Sequence, residues 1–184
     1  MSRSRTFVVR GARAGDLDAC AALLALHEGA PADAEADLRA RVRTWFDRPD
    51  GCFLVATEPS TGADPVVGYA RAVHLDPSPT APVGYYLAGI VVAPTARRTG
   101  LGLRLTRARL AWIAERAESA WYFTNARNTA SLHLHEALGF HEETREFTIP
   151  GVDFTGGEGV LAHLPLTGRP CPAAPGGRGP AEGG

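Results

Sequence analysis

Runs of apolar residues recur along the chain with two periods, one typical of strands and the other of helices. Short β-rich runs predict strands over 6–10, 52–57 and 66–73. Between the first two runs, apolar residues at helical spacing predict one helix between Asp16 and Gly29 and another over 34–46. We expect Asp16 to be the N-cap of the first helix and Gly29 to end it.

The second half of the chain alternates between strand and helix patterns. The proline-rich segment 74–83 predicts a loop, and a strongly apolar strand follows over 84–92. Beyond it, the pattern predicts a helix over 100–118, a strand over 120–124, a helix over 129–138, and strands over 140–149 and 159–164. This order is typical of an α/β (α+β) fold with a mixed, mostly antiparallel central sheet flanked by helices. It does not match the regular alternation of a doubly wound parallel sheet.

Composition and charge limit the possible domain organisation, binding partners and location of the protein. We expect one domain over 1–167 and a disordered tail over 168–184, whose Gly, Pro and Ala bury too little apolar surface to offset ordering entropy. The net charge of −1 gives no general attraction to nucleic acid or to anionic membranes. The cysteines Cys20, Cys52 and Cys171 form no disulfide or zinc pattern, which favours a reducing cytoplasm. No signal peptide or membrane span is expected.

The turn after the apolar strand, Arg-Arg-Thr-Gly-Leu-Gly over 97–102, carries the first candidate site. The start of a helix has unpaired amides and a partial positive charge, so it attracts phosphate. Gly100 and Gly102 lack a Cβ, so an anion can approach the backbone, and Arg97 and Arg98 add two guanidinium groups. A dinucleotide site is the alternative, but it needs a third glycine in G-x-G-x-x-G on the first strand of a parallel unit.

With Arg97-x-x-Gly100-x-Gly102, this turn resembles the acetyl-CoA pyrophosphate motif of the GNAT superfamily of N-acetyltransferases. The resemblance implies that acetyl-CoA is the co-substrate and that the preceding strand binds its pantetheine arm like an added strand. It also implies that an amide of that strand polarises the thioester carbonyl. The residues that it places against acetyl-CoA here are Ile90, Val91, Val92, Arg97, Arg98, Thr99, Gly100, Leu101, Gly102 and Leu103.

A second segment, 128–140, resembles the later motif of the same superfamily, N-x-x-(A/S)-x-x-L-(Y/H)-x-x-L-G-F. It begins at Asn128, has Ser131 at the small position and ends in Leu-Gly-Phe. In the superfamily the asparagine contacts the pantetheine or the substrate, and the helix covers the cofactor. The resemblance therefore adds Asn128 and Ser131 to the acetyl-CoA site, and the elements match the superfamily over about 6–164.

His135 stands where many GNAT enzymes have a tyrosine. That tyrosine is usually assigned as the general acid that protonates the departing thiolate, so the resemblance implies a catalytic role for His135. Imidazole, with an ordinary pKa of about 6.5, can supply a proton near neutral pH. The alternative stays open: a half-buried residue that packs near the sulfur and transfers no proton.

The group that takes the proton of the attacking amine has no single candidate. On the apolar strand, Ala88 occupies a position where related enzymes often carry Glu. Other candidates are aromatic residues of that strand and carboxylates in stretches that border the acceptor cleft in this fold. They are Tyr85, Tyr86, Glu28, Asp153 and Glu158.

The acceptor itself is the open question. The segments 86–90, 134–140 and 142–145 look like bacterial aminoglycoside 6′-N-acetyltransferases, although Ala88 and Phe123 replace acidic residues of those enzymes. The acidic stretch 28–37 is suited to a polycationic acceptor. Three hypotheses stand: acetylation of a small-molecule amine, with aminoglycosides and antibiotic resistance the first class to test; acetylation of a protein or peptide; and a CoA-binding module without catalysis. The superfamily often forms dimers, so a homodimer stays open.

Overall fold

The computed structural model describes residues 5–59, 64–154 and 156–166, so the predicted tail over 168–184 and Cys171 lie outside the described residues. Seven strands form one sheet: β1 (Val8–Gly11), β2 (Gly51–Thr57), β3 (Val66–Leu75), β4 (Gly84–Val92), β5 (Ser119–Asn125), β6 (His141–Thr144) and β7 (Gly159–Pro165). Four helices accompany them: α1 (Leu17–Glu28), α2 (Glu35–Phe46), α3 (Leu101–Ala114) and α4 (Thr129–Glu136). None of these described helices is long and apolar enough to cross a membrane.

The strands lie in the order β1-β2-β3-β4-β5-β7-β6, and only β4 and β5 pair in parallel among the described strands. Consecutive strands β1 to β4 form an antiparallel meander, and β7 inserts between β5 and β6. The prediction of a mixed, mostly antiparallel sheet flanked by helices is therefore confirmed.

Two layers of helices cover the two faces of the sheet. On the α1–α2 face, a buried cluster joins the helices to β2, β3 and β4 through residues that include Leu24, Val42, Val55, Tyr69 and Val91. On the α3–α4 face, further clusters join α3 and α4 to the sheet through residues that include Ala70, Leu105, Ile113, Tyr122 and Phe140. The apolar residues at helical spacing in the sequence are the ones that these layers bury.

Asp16 occupies the predicted N-cap position of α1, but its side chain does not cap that helix. Gly29 does end α1, with a φ of 63°. Asp16 has helical backbone angles, and its side chain accepts no hydrogen bond from α1. It instead accepts from the Arg13 amide (2.7 Å) and from the Arg10 guanidinium (2.7 and 2.8 Å), which closes the short 3-10 turn before the helix. The Arg10 guanidinium holds the pKa of Asp16 below its ordinary value.

Two predicted elements are shorter than expected. The helix predicted to reach 118 ends at Ala114, where the amides of Arg116 and Ala117 both donate to the carbonyl of Ile113 and close the last turn. The strand predicted over 140–149 is only His141–Thr144. The chain leaves the sheet there because the loop after β3 binds it: Thr148 accepts at its carbonyl from Ser78 Oγ (2.8 Å) and donates its amide to Thr80 Oγ1 (3.0 Å).

Candidate active site

The sheet opens between β4 and β5. Within the described residues these strands pair at two positions, Tyr86 with Trp121 and Leu87 with Tyr122. Beyond Leu87, β4 continues to Val92 alongside β3, and its other edge has no partner among the described strands. An unpaired strand edge can bind an extended ligand as an added strand. The predicted residues 90–92 lie on this open edge.

A β-bulge marks the point where β4 leaves β5. Ala70 pairs with Ile90 and Arg71 with Ala88, which leaves Gly89 opposite no residue of β3. Gly89 has a φ of 67°, a conformation that side-chain-bearing residues rarely adopt. A bulge bends its strand and increases the local twist, so this glycine helps to hold the sheet open.

The predicted pyrophosphate turn connects the open edge to α3. Thr99 Oγ1 donates to the carbonyl of Ala96 (2.7 Å), and Arg97 Nε donates to the carbonyl of Val92 (3.2 Å). Arg98 has a φ of 60° and Gly100 a φ of 79°, so two left-handed residues bend the turn. The first backbone bond of the helix runs from the Arg104 amide to the Gly100 carbonyl (3.0 Å).

This turn leaves room and unpaired donors for an anion. No described residue accepts from the amides of Leu101, Gly102 or Leu103. A Cβ on Gly102 would meet only Ile90 Cδ1, at 4.0 Å, and one on Gly100 would meet nothing within 4 Å. Neither packing nor, at Gly102, backbone conformation requires these glycines.

Arg97 and Arg98 are exposed and form no ion pair with any residue that the structure describes. The turn therefore fits the pyrophosphate of acetyl-CoA.

The predicted residues of the second motif begin α4. Asn128 is the N-cap, because its Oδ1 accepts from the Ser131 amide (3.2 Å). The cap alone explains why an asparagine stands at position 128. Its contact with acetyl-CoA stays a prediction. Ser131 in turn holds His135, whose Nδ1 lies 2.8 Å from the Ser131 carbonyl and 3.4 Å from its hydroxyl.

His135 is buried on the α3–α4 face, with 3% of its surface exposed. Its ring stacks on Tyr122 with centroids 3.7 Å apart and planes at 9°, and Phe140 meets it edge-on at 5.3 Å. Because a carbonyl only accepts, Nδ1 carries the hydrogen that bonds Ser131. Nε2 is then the unprotonated nitrogen, and it is buried without a partner among the described residues.

Burial dominates the titration of this pair of rings. It lowers the pKa of His135 to about 4, with smaller effects from the Ser131 carbonyl and from Arg109. Burial also raises the pKa of Tyr122 to about 12. At neutral pH His135 is therefore a neutral imidazole whose Nε2 can accept but not donate. Its role as general acid stays a prediction, and it requires a prior proton uptake.

The other candidates for proton transfer are engaged elsewhere. Tyr86 is fully buried and its hydroxyl donates to the Pro82 carbonyl (2.6 Å). Tyr85 packs between His74 and Trp112 on the α3–α4 face. Among the carboxylates, Glu28 pairs with Arg41, Glu158 pairs with Arg145 at 2.5 Å, and Asp153 is exposed. The geometry selects none of them as the base.

The comparison with known families agrees with this geometry. The model of the acetyltransferase (GNAT) family matches residues 20–140. The chain belongs to this family. The matched region includes both segments that carry the predicted acetyl-CoA site, 97–102 and 128–140.

Curated relatives of this GNAT enzyme include mycothiol acetyltransferases. The one from Renibacterium salmoninarum is 31% identical over 140 residues, which cover 74% of this chain and 39% of the relative. The one from Salinispora arenicola is 36% identical over 113 residues, 57% of this chain and 33% of the relative. The aligned part of the chain thus spans about a third of the length of these relatives.

Solved structures share the fold. An acetyltransferase from Salmonella typhimurium with acetyl-CoA has a TM-score of 0.66 at 20% identity, covering 91% of this chain and 98% of its own. The ribosomal-protein-S18-alanine N-acetyltransferase from Escherichia coli has a TM-score of 0.63 at 19% identity, covering 90% and 97%. The turn and the open strand edge of this chain have the geometry to bind acetyl-CoA, which the Salmonella typhimurium structure contains.

Two residues of the site were not predicted from the sequence. Gly89 interrupts a strand, and an isolated glycine inside a strand pattern is a known signal of a bulge. Arg71 is a charge in the middle of the otherwise apolar strand β3. Either signal can be read from the sequence, but their meaning depends on the register that brings them together.

Proposed function

We propose that this enzyme transfers the acetyl group of acetyl-CoA to the primary amine of a small molecule. The observation that carries the proposal is the open edge of β4, which leads directly into the unpaired amides of the α3 turn. The curated relatives named mycothiol acetyltransferase also support a small-molecule acceptor.

The residues of the open edge would bind and orient the acyl donor. The amides of the α3 turn, with Arg97 and Arg98, would bind the pyrophosphate. Ile90, Val91 and Val92 would offer backbone groups to the pantetheine arm, and one amide there would polarise the thioester carbonyl. Acetyl-CoA supplies the activated acetyl group.

The chemistry balances without a covalent enzyme intermediate. The amine nitrogen forms a bond to the acetyl carbon, the carbon–sulfur bond breaks, and CoA leaves as thiolate or thiol. The amine loses one proton, which solvent can accept. Two of the candidate bases, Glu28 and Glu158, are already paired with Arg41 and Arg145. The enzyme then contributes mainly by holding the two reactants together, which can supply a large part of a rate enhancement.

Aminoglycosides are a less suitable acceptor than the sequence suggested. In the acidic stretch 28–37, Glu28 pairs with Arg41 and Glu35 pairs with Arg39, so half of its charge is already neutralised by the protein. The side chain at position 88 is a methyl group, which offers a polycation nothing to bind. A homodimer and a cytoplasmic location stay predictions.

The experiment is CoA release from acetyl-CoA, measured against a panel of amines with mass spectrometry of the products. The panel contains amino acids, their amides, polyamines, aminoglycosides and short peptides. Turnover of small amines above the rate of background hydrolysis is the expected result. Turnover of peptides alone would replace the proposal with protein acetylation, and turnover of no member would contradict it.

A further inference from the structure

Arg71 lies at the bulge where the sheet opens. It pairs with Ala88 across the β3–β4 ladder and so points to the same face as Ala88, the α1–α2 face. A Cβ built on Gly89 would lie 3.2 Å from Arg71 Nη2 and 3.4 Å from Nε. The guanidinium therefore covers the one glycine of the open strand that has a left-handed backbone.

The guanidinium of Arg71 has no anionic partner among the residues that the structure describes. Besides Gly89, it contacts the ring of Trp45, with Cζ 3.7 Å from the ring centroid. Its Nε is buried without a hydrogen-bond partner, and no described carboxylate forms an ion pair with it. Burial lowers its pKa to about 10, so it stays charged at neutral pH. An unpaired, largely desolvated charge is costly and calls for an explanation.

Neighbouring arginines form hydrogen bonds that the Arg71 side chain lacks. Arg41 pairs with Glu28, and Arg48 forms two bonds to Asp50 at 2.8 and 2.9 Å. Arg109 is more deeply buried, and it also has an unpartnered Nε and no carboxylate among the described residues. Its two Nη atoms, however, donate to the Arg71 carbonyl (3.1 Å) and to Thr106 Oγ1 (2.9 Å). Those bonds explain Arg109 as a structural residue, whereas no described group receives a bond from the Arg71 side chain.

We propose that Arg71 binds a carboxylate of the acceptor, so that this enzyme acetylates the amine of an amino-acid-like substrate. The inference rests on the proposed function, because it assumes that the thioester lies along the open edge of β4. The planar guanidinium matches a carboxylate with two parallel hydrogen bonds. A substrate carboxylate held over Gly89 would keep its nearby amine next to the strand that carries the acetyl group.

The methyl side chain of Ala88, which lies opposite Arg71, supports the proposal that Arg71 binds a carboxylate. If residue 88 were acidic, it would neutralise Arg71 from directly across the ladder, at the distance of a cross-strand pair. Ala88 leaves that partnership to a ligand. The same arrangement repels a polycation, because an aminoglycoside would bring further positive charge against a guanidinium that has no counter-ion.

The test compares each amino acid with its own amide and with the amine that lacks the carboxylate. We expect kcat/KM to be about 10- to 100-fold higher for the acid than for the amide, the range expected for hydrogen bonds to a charged group. Intrinsic reactivity favours the amide, whose amine is less basic and less protonated, so it cannot produce this preference. In Arg71→Met the preference for the acid should disappear while the KM for acetyl-CoA stays unchanged.

Arg41→Met is the matched control, because Arg41 lies on the same face, also contacts Trp45 and already has a carboxylate partner. It should keep the acid preference. Melting temperatures of both variants check folding, and Arg71→Met should be as stable as the parent or more stable, since it removes an unpaired buried charge. Equal turnover of acids and amides, unchanged in Arg71→Met, would overturn this inference and leave the proposed function intact. Turnover of no amine would overturn both.

Discussion

The acyl-donor side and the amine side of this site use the same residue types for different physical reasons. On the acyl-donor side, which is the α3 turn and α4, Gly102 has an ordinary helical backbone and empty space beside it. On the amine side, which is the α1–α2 face near Arg71, Gly89 has a left-handed backbone and the guanidinium pressed against it. Gly102 keeps space for a ligand, whereas Gly89 shapes the strand.

Both sides hold buried polar atoms without a partner among the described residues; besides the Tyr122 hydroxyl and Nε of Arg109, they are Nε2 of His135 and Nε of Arg71. The His135 atom lies on the acyl-donor side and the Arg71 atom on the amine side. The first belongs to a ring that burial keeps neutral, and the second to a side chain that stays charged. The neutral Nε2 of His135 can accept a hydrogen bond from a ligand, whereas the charged guanidinium of Arg71 can bind an anion. The two sides of the site therefore suit different chemical groups.

The largest expected effect is on acetyl-CoA binding by Gly102→Glu. The added carboxylate would fill the open space and repel the pyrophosphate, so affinity measured by calorimetric titration should fall by at least about 100-fold, the scale of losing a charged contact. Gly102→Ala is the control. Its Cβ fits at 4.0 Å from Ile90, and alanine favours a helix over glycine by about 1 kcal/mol, so it should stabilise the fold while weakening binding. Unchanged affinity in the glutamate variant would refute the site.

The second effect is acid sensitivity caused by His135. Its pKa is about 4 when folded and about 6.5 when unfolded, so the unfolded chain takes up the proton first as pH falls. Stability from this residue is complete above about pH 6.5 and is lost towards pH 4, by about 3 kcal/mol. In His135→Phe that part of the pH dependence of urea unfolding should vanish. It should persist in His133→Phe, since His133 is exposed on the same helix.

The same His135→Phe variant bears on the acid role. A lost general acid lowers kcat by about 10- to 10⁴-fold. Because the resting imidazole is neutral, we expect a flat kcat profile between about pH 6 and 8 in the parent enzyme. A bell-shaped profile that His135→Phe abolishes would show instead that the ring does transfer a proton during turnover.

The smallest expected effect is on stability in Gly89→Ala. A left-handed alanine costs about 1–2 kcal/mol, and its Cβ would push against Arg71 at 3.2 Å. Gly151→Ala has the same backbone cost, with a φ of 75° and nothing within 4 Å of the new Cβ. Urea unfolding of both variants should show a similar loss of free energy of unfolding. The preference for acids over amides should weaken only in Gly89→Ala. An equal weakening in both variants would contradict the idea that the bulge positions Arg71.

Local chemistry explains what the sequence could predict. The strand 84–92 was predicted with the bounds that the structure has, because its apolar run is framed by a proline-rich loop and Pro94. The α3 turn was recognised because its arginines and glycines are adjacent in the chain. The bounds of β6 were wrong because contacts from Ser78 and Thr80, about 70 residues away, remove 146–148 from the sheet.

The amine side could not be predicted for a related reason. Arg71 and Gly89 meet only through the register of β3 and β4, and that register contains a shift of one residue. Before the shift is known, Arg71 could face either side of the sheet. Ala88 was recognised as an unusual residue from the resemblance, but its cross-strand partner was not identified.

The sheet has far fewer paired residues at the seam between β4 and β5 than between β3 and β4 or between β5 and β7. Four strands lie on one side of it and three on the other, and within the described residues two residue pairs of the ladder join them. The seam has few hydrogen bonds between strands, and the buried cluster that contains Ala72, Leu87, Tyr122 and Ala162 holds the two groups of strands together across it. A pantetheine arm lying along β4 would add backbone contacts on the open side of the seam, so we expect the two groups of strands to be held together more strongly when acetyl-CoA is bound than when the site is empty.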